Sequence, residues 1–404
     1  MKIVIIANFP ANLDGGKAKG RFLYLGEMLC ERGHHVEMIV SDFDHGPKQH
    51  RAEGSVKQEA YKTKITTLHE PGYPNNISLK RLWSHYVWGR NVEKYLKSIP
   101  KPDVIYSAIP SLTANVRAAQ FCKKNGIKYI IDVQDLWPEA FVLAIKNKLL
   151  QQAFKPIAWY INRAYRAADV VVAVSETYMN RALEVNRKNA KGVSVFLGND
   201  GALFDEARDS LVVEKPEGLL QLCYIGTLGY SYDLKCAIDA VSIYNQQKDI
   251  PPMQFLVMGG GPLIDEFENY AKEKKIDVIF TGSLPYPEMV ARMCNCDILI
   301  NPIVKGAAQS ITNKVGDYAL AGLPVVSTQE NKEYRQLVDR YMCGINCRVG
   351  NAQDVADALV KLARDPELRK QMGVSARRFG KEKFDRRETY QEIVKVVEDI
   401  KLDS

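Results

Sequence analysis

No apolar run in this 404-residue chain approaches the roughly 20 residues that span a bilayer. The eight cysteines contain no paired C-x-x-C spacing. Cys294-x-Cys296 and Cys343-x-x-x-Cys347 are too loose for a zinc site, and several thiols fall within apolar patterns. Buried thiols in a reducing cytoplasm are therefore expected, with neither metal ligands nor disulfides. Internal repeats and low-complexity tracts are absent. The opening Met1-Lys2-Ile3-Val4-Ile5-Ile6 enters a strand-like run without a signal-peptide cleavage pattern, which predicts a protein that stays on the side of the membrane where it was made. Gly15-Gly16-x-x-x-Gly20 does not fit the G-x-G-x-x-G fingerprint, which counts against an NAD enzyme.

What is present is an ordinary globular composition, 46% hydrophobic and 25% charged. The length exceeds what one core usually serves, so two domains are expected. The net charge of +7 permits attraction to anionic lipid or nucleotide without requiring nucleic acid.

Patterning supports two halves built alike. Lys2–Asn8 and His35–Ser41 read as buried strands, with a helix between them that Gly33 stops. Val104–Ala108, Lys128–Val133, Val170–Val174 and Val193–Leu197 continue the β-like runs, separated by helical patterns. Continuous apolar strands with helical crossovers predict a parallel, doubly wound α/β sheet. Asn199-Asp200-Gly201-Ala202-Leu203-Phe204 breaks the rhythm. A second series follows at Leu219–Ile225, Gln254–Met258, Val278–Thr281, Ile298–Asn301, Val325–Thr328 and Ile345–Arg348. The expectation is two Rossmann-like domains, residues 1–200 and 201–385, with 386–404 a last helix. A ligand cleft is expected at the carboxyl ends of the strands. Residues 43–76 are polar, rich in Gly and Pro, and read as an irregular excursion. They are either a plain loop or a shaper of an acceptor site.

The most informative segment is Asn313-Lys314-Val315-Gly316-Asp317-Tyr318-Ala319-Leu320-Ala321-Gly322-Leu323-Pro324-Val325-Val326. It reads as a short helix with Thr312 as N-cap, closed by Gly322 and followed by a buried strand. Lys314 falls in the first turn, where the macrodipole disfavours a cation unless an anion shares the site. Asp317 follows one turn later and could accept sugar hydroxyls. A plain surface Lys–Asp pair at (i, i+3) spacing is the competing reading.

This segment resembles the donor-binding signature of the family-four retaining glycosyltransferases, which have the GT-B fold. The capsule and lipopolysaccharide branch, with its Lys-x-x-Glu/Asp-Tyr-x-x-Ala-Gly-x-Pro-Val pattern, is the part of the family it resembles. Ile131-Asp132-Val133-Gln134-Asp135-Leu136-Trp137-Pro138-Glu139 resembles the same branch's Arg-Asp-Leu-Trp-Pro-Glu. Residues 199–204 resemble its hinge, and the resemblance covers nearly the whole chain.

The resemblance implies a cytoplasmic enzyme of hexosyltransferase type, peripheral at the inner membrane face. It would move a sugar from a nucleoside diphosphate sugar, UDP-linked by family expectation, to a glycolipid or polysaccharide intermediate of a bacterial surface polysaccharide. No cofactor is implied. No metal is implied either, because no Asp-x-Asp donor motif stands at a matching strand end.

By the same resemblance, Gly226-Thr227-Leu228-Gly229 and Lys314 would hold the diphosphate, and Gly282-Ser283-Leu284 would lie under the base. Asp317 would bind the ribose, while Gln309 stands where the family has a Glu that contacts the donor sugar. Ala307–Asn313, Thr312 included, would offer loop and helix amides. Gly15, Gly16 and Arg21 match a glycine loop and an Arg expected to face the leaving group. Asp135 would poise the acceptor hydroxyl; a capped turn is the structural alternative. The wider family's basic pair near Thr227 and Tyr232 is missing, which shifts charge compensation onto Lys314.

Two other classes remain open: a nucleotide-sugar 2-epimerase of the same fold, and a non-catalytic nucleotide-sugar-binding partner subunit. Finally, Leu79, Leu82, Trp83, Tyr86 and Val87 follow helical spacing, continued after a phase shift by Trp88, Val92, Tyr95 and Leu96. Lys80, Arg81, Arg90, Lys94, Lys97 and Lys101 flank them. This suits either an interfacial helix on anionic lipid or a core helix with a solvated basic face. Leu149–Ala168 is a second such stretch.

Overall fold

The computed structural model describes residues 1–10, 13–76, 78–136, 155–307 and 311–400. In chain order the first strands are β1 (Lys2–Ala7), β2 (His35–Ser41), β3 (Phe43–Asp44), β4 (Gln49–His50) and β5 (Lys64–Leu68). They are followed by β6 (Val104–Ile109), β7 (Lys128–Val133), β8 (Val170–Ala173) and β9 (Lys191–Ser194). All but β3 and β4 join one parallel sheet in the order β5-β2-β1-β6-β7-β8-β9. Ile3 and Ile5 of β1 face one buried layer, and Val4 and Ile6 face the other. A strand buried on both faces needs such an unbroken apolar run.

β10 (Leu220–Ile225), β11 (Met253–Met258), β12 (Val278–Gly282), β13 (Ile298–Asn301), β14 (Val325–Ser327) and β15 (Gly344–Asn346) form a second sheet. Its order is β12-β11-β10-β13-β14-β15, again parallel throughout. Both sheets reverse strand order beside their first strand, and in such folds ligands bind outside the carboxyl ends at that reversal. The fold is α/β with two Rossmann-like halves. One compact unit holds Met1–Leu197 and the described residues from Tyr390 on; the other holds Gly198–Thr389.

Three departures from the sequence reading have physical causes. Residues 43–76 contain the β3–β4 hairpin and also β5, a genuine sheet member paired with β2. β5 (Lys-Ile-Thr-Thr-Leu) is a half-exposed edge strand, so it lacks the apolar run that reveals a central one. β9 ends at Ser194, before the predicted Leu197. The carbonyls of Val195 and Phe196 instead accept hydrogen bonds from Arg21 Nη1, at 3.2 and 3.1 Å. The helix Leu79–Ser98 is continuous, and its phase shift marks a change of face. Trp88, Val92 and Leu96 are fully buried, whereas Leu79, Leu82 and Trp83 face solvent.

The last helix, Arg386–Asp399, buries Tyr390, Ile393, Val394, Val396 and Val397 in the same core as Ile3, Ile5, Leu25 and Tyr106. At the rim of that core lies a buried ion pair. Arg21 Nε donates to Asp132 Oδ2 at 2.8 Å, and Nη1 also reaches the Tyr390 hydroxyl at 3.2 Å. Asp132 accepts a further bond from the Tyr106 hydroxyl at 2.6 Å. Burial works against the guanidinium charge, but Asp132 outweighs it and holds Arg21 above its ordinary pKa. One pair thus ties β6, β7, the end of β9 and two helices together.

Removing a single partner of a buried pair strands the other charge. Asp132→Ala should therefore lower the unfolding free energy of the N-terminal unit by about 3–5 kcal/mol in urea titration. Combining Arg21→Met with Asp132→Leu should recover part of that loss. A loss below about 1 kcal/mol for the single variant would show that water reaches the pair.

Candidate functional site

At the carboxyl ends of β10, β11 and β12 lies a cavity of about 330 Å³. Three glycine-bearing loops form its wall, laced by their own backbones. Gly226 N donates to Met258 O, and Gly259 N donates to Gly282 O, each at 2.9 Å. Gly259 lies at φ +150°, and a Cβ there would stand 1.9 Å from the Gly226 carbonyl oxygen. Gly226 itself lies at φ +125°. Only glycine allows the two loops to approach so closely. The Gly259–Gly261 loop therefore serves both packing and the pocket wall.

The floor is the helix Asn313–Ala321, which Gly322 ends in the left-handed conformation at φ 70°. Tyr318 pins the helix at the strand reversal: its hydroxyl accepts from Ile225 N at 3.1 Å and donates to Ile300 O at 3.0 Å. Thr312 occupies the N-cap position, but its side chain makes no capping bond, contrary to expectation. Its Oγ1 is buried without a partner among the described residues. Val315 N, in the first turn, donates instead to Thr312 O at 3.1 Å.

Lys314 is 8% exposed, and its Nζ has no hydrogen-bond partner among the described residues. The ammonium sits 3.6 Å from the Tyr232 ring centroid and 4.1 Å from that of Tyr224. Burial drives its pKa well below the ordinary lysine value. Two aromatic faces partly offset the loss of water but supply no counter-charge. Tyr232 is also the position where the resemblance led us to look for a second cation. A ring stands there instead, turned toward Lys314.

Asp317 does not neutralise Lys314, so the surface-pair reading is set aside. Its Oδ1 accepts from Asn199 Nδ2 at 2.5 Å and from the Tyr286 hydroxyl at 2.9 Å. Burial pushes its carboxyl up to about 7 despite those donors. Gly316, one residue earlier, makes room for Asn199: a Cβ there would lie 2.4 Å from Asn199 Oδ1. Tyr224, Tyr232, Tyr286 and Asn199 are thus neighbours of the site that sequence reasoning did not assign to it. Nothing but the hinge-like pattern around Asn199 hinted at them.

The other predicted residues divide clearly. Gly226, Thr227, Ser283 and Leu284 line the cavity with Lys314 and Asp317, and Met289 joins them. Gly282, at φ +69°, turns the chain into it. Asn313 is exposed at the start of the helix, and Gly229 is buried outside the lining. Gln309 lies outside the described residues, as do Trp137, Pro138 and Glu139.

In the N-terminal unit three of the predicted groups have partners within the protein. Gly15 N donates to the Tyr61 hydroxyl at 2.8 Å, and Gly16 N to Asp14 Oδ1 at 3.0 Å. Arg21 is held by Asp132 and two carbonyls. Asp132 is likewise core, whereas Asp135 is half-buried two residues beyond β7 and within electrostatic reach of Arg81. Asp42, His50 and His69 also bring ligating atoms within 4.8 Å of one another, a grouping that sequence spacing does not reveal.

Residues 21–195 match the family model described as Glycosyltransferase Family 4, and residues 220–365 match Glycosyl transferases group 1. An uncharacterized glycosyltransferase of Methanocaldococcus jannaschii, MJ1069, is 26% identical over 258 residues. That alignment spans 63% of this chain and 63% of the relative, just under two thirds of its length. The structure of Anabaena Alr3699/HepE in complex with UDP superposes with a TM-score of 0.69 at 17% identity, covering 99% of this chain and all of that one. The lipopolysaccharide outer core galactosyltransferase WaaB gives 0.62 at 16% identity, over 100% of this chain and 99% of its own. At such identities the structural likeness concerns the fold alone. The fold is that of these neighbours, and both family models that match this chain are models of glycosyltransferases. In this chain the family-four match falls in the N-terminal unit and the group-1 match in the unit that holds the Lys314 pocket.

Proposed function

We propose that this chain transfers a hexose-type sugar from a nucleoside diphosphate sugar, carried by UDP, to a glycolipid or polysaccharide intermediate of a bacterial surface polysaccharide. Transfer proceeds with retention at the anomeric carbon. The observation that carries the reading is the uncompensated ammonium of Lys314 at the bottom of the glycine-walled pocket. A diphosphate above Gly226 and Thr227 supplies the missing counter-charge and favours the protonated lysine. It also lies at the start of the helix Asn313–Ala321, where the helix dipole favours an anion.

In this reading Asp317 receives the ribose hydroxyls, its carboxylate steadied by Asn199 and Tyr286. Ser283 and Leu284 lie under the base. UDP is favoured because the Anabaena structure of this fold was solved with that nucleotide. As the sugar C1–O bond to the β-phosphate breaks, charge builds on the leaving oxygen, and Lys314 stabilises it there. The acceptor oxygen bonds to C1 from the same face, and its proton passes to the departing phosphate. No side-chain nucleophile is required. Asp135 orients the acceptor hydroxyl. The epimerase alternative needs further acid–base carboxylates, and Asp317 is the one carboxylate in the described lining of the pocket.

The exposed face of the helix Leu79–Ser98 suits a lipid surface. Leu79 is 84% exposed and Trp83 61%, and the Trp83 and Tyr86 rings stack at 5.6 Å. Lys80, Arg90, Lys94 and Lys97 are exposed around them. Arg81, grouped with these cations on sequence, is buried and belongs elsewhere. No described helix is long and apolar enough to cross a membrane.

Calorimetry should show UDP binding weakened about tenfold to hundredfold by Lys314→Ala, with uridine binding nearly unchanged. Because UDP draws a proton onto Lys314, affinity should fall as pH rises, and the heat should vary with the buffer's ionisation enthalpy. Equal losses for UDP and uridine would end the phosphate assignment. With any donor that turns over, Asp135→Asn should cut turnover roughly hundredfold at unchanged donor affinity; unaltered turnover would leave Asp135 a turn residue. Replacing Lys80, Arg90 and Lys94 by Gln should release the protein from vesicles containing anionic lipid, and undiminished binding would remove that helix from consideration.

A further inference from the structure

We infer that the N-terminal unit holds a second oxyanion site, where the residues after β1, the β3–β4 hairpin and the first turns of the helix Leu79–Ser98 meet. Its ligand is an anionic group of the acceptor. The choice of ligand rests on the glycosyl-transfer reading, whereas the existence of the site does not.

Asn8 follows β1 directly, at the reversal of strand order in the first sheet. It is 2% exposed, yet neither its amide nitrogen nor its amide oxygen has a partner among the described residues. Such a group is costly unless something binds it. Beside it the Phe9 ring lies 4.6 Å from His45 and 5.8 Å from His85, and the Arg81 guanidinium stands 5.9 Å over it. Arg81 also stands 5.3 Å over Tyr73, which Lys48 Nζ approaches to the same distance. Four basic side chains therefore share one aromatic enclosure.

Counter-charge is scarce there. Lys48 forms no ion pair among the described residues; its nitrogen rests on the ring and carbonyl of His45. Asp44 is engaged by Arg51 at 3.3 Å, and Asp42 by His69 at 2.8 Å. Glu70 is buried, accepts from Ser84 Oγ at 2.8 Å, and is pushed toward its neutral form by burial. Asp135 is the remaining acid within electrostatic reach of Arg81. Burial and crowding by Lys48 and Arg81 drive the His45 imidazole down to about 4, and His85 is driven to about 3. Lys48 and Arg81 are lowered as well.

Lys48 is also held at φ 59°, a conformation that Gly or Asn adopts at less cost. Basic groups gathered in one aromatic enclosure, with an unpaired buried amide at the residue before Phe9, form an arrangement that an oxyanion completes. Two sources share that chemistry: the phosphate that joins a sugar to its carrier, and the carboxylate of an acidic sugar. Asp135, the residue assigned to the acceptor hydroxyl, is in the same neighbourhood.

The test titrates the whole protein with inorganic pyrophosphate and, separately, with a methyl glucuronoside. Parent, Lys48→Gln, Asn8→Ala and Lys314→Ala are compared. One probe should bind the parent, lose about tenfold in affinity in Lys48→Gln and Asn8→Ala, and retain that binding event in Lys314→Ala. Preference for pyrophosphate assigns the carrier linkage, and preference for the glucuronoside assigns an acidic sugar. Lys48 is half-exposed on a turn, so its variant serves if Asn8→Ala does not fold. The site is overturned if neither probe binds the parent, if binding is indifferent to Lys48→Gln, or if it disappears with Lys314→Ala alone. Loss of UDP binding in Lys314→Ala is read separately, so the donor and acceptor assignments fail independently.

Discussion

A cation taken out of water must find an anion, and much of this chain is arranged by how that demand is met. Arg21 meets it within the protein: Asp132 supplies the charge, carbonyls and a tyrosine take the remaining donors, and the result is a structural tie. Lys314 does not. It is nearly as buried, but what surrounds it is the faces of Tyr224 and Tyr232. Around Arg81 and Lys48 the demand is met in part, by Glu70, Asp135 and Asp44. The same physics thus separates Arg21, whose charge is met inside the protein, from Lys314, whose ammonium meets aromatic faces and no hydrogen-bond partner among the described residues.

The pocket is precise because its supports are not loops alone. Tyr318 spans the ends of β10 and β13 and fixes the helix that carries both Lys314 and Asp317. Glycines at 226 and 259 let adjacent strand ends touch through their backbones, so the pocket wall moves with the sheet. Asp317 is in turn held by Asn199 and Tyr286. Second contacts of this kind keep functional groups within the small tolerance that catalysis requires.

Most of the architecture was legible because central parallel strands advertise themselves as unbroken apolar runs, and because Gly33 and Gly322 end helices in predictable ways. β5 was not legible, since an edge strand of Lys, Thr and Ile has no such run. The helix at residues 313–321 and its Gly322 terminus followed from local reasoning, whereas the burial of Lys314 did not. Partners distant in sequence did not. Arg21 was assigned to a diphosphate because its spacing fits a motif, and nothing near it in sequence announces Asp132 or the carbonyls of Val195 and Phe196. Tyr232 was read as a missing cation, when its ring is part of how the remaining cation is held. The polar segment 43–76 looked irregular because its order comes from contacts with β2 and with the helix Leu79–Ser98.

The helix Arg386–Asp399 has a consequence for how the molecule is made. Tyr390, Ile393 and Val397 fill the core that the first strand began, so that core stays incomplete until residue 397 has been synthesised. Gly198–Thr389 has all its residues before then and can complete first. Domains usually fold in the order of their synthesis; here the first to be made is the last to close. Until then the helix Arg21–Glu31 covers part of the first sheet's apolar face through Phe22, Leu25 and Leu29.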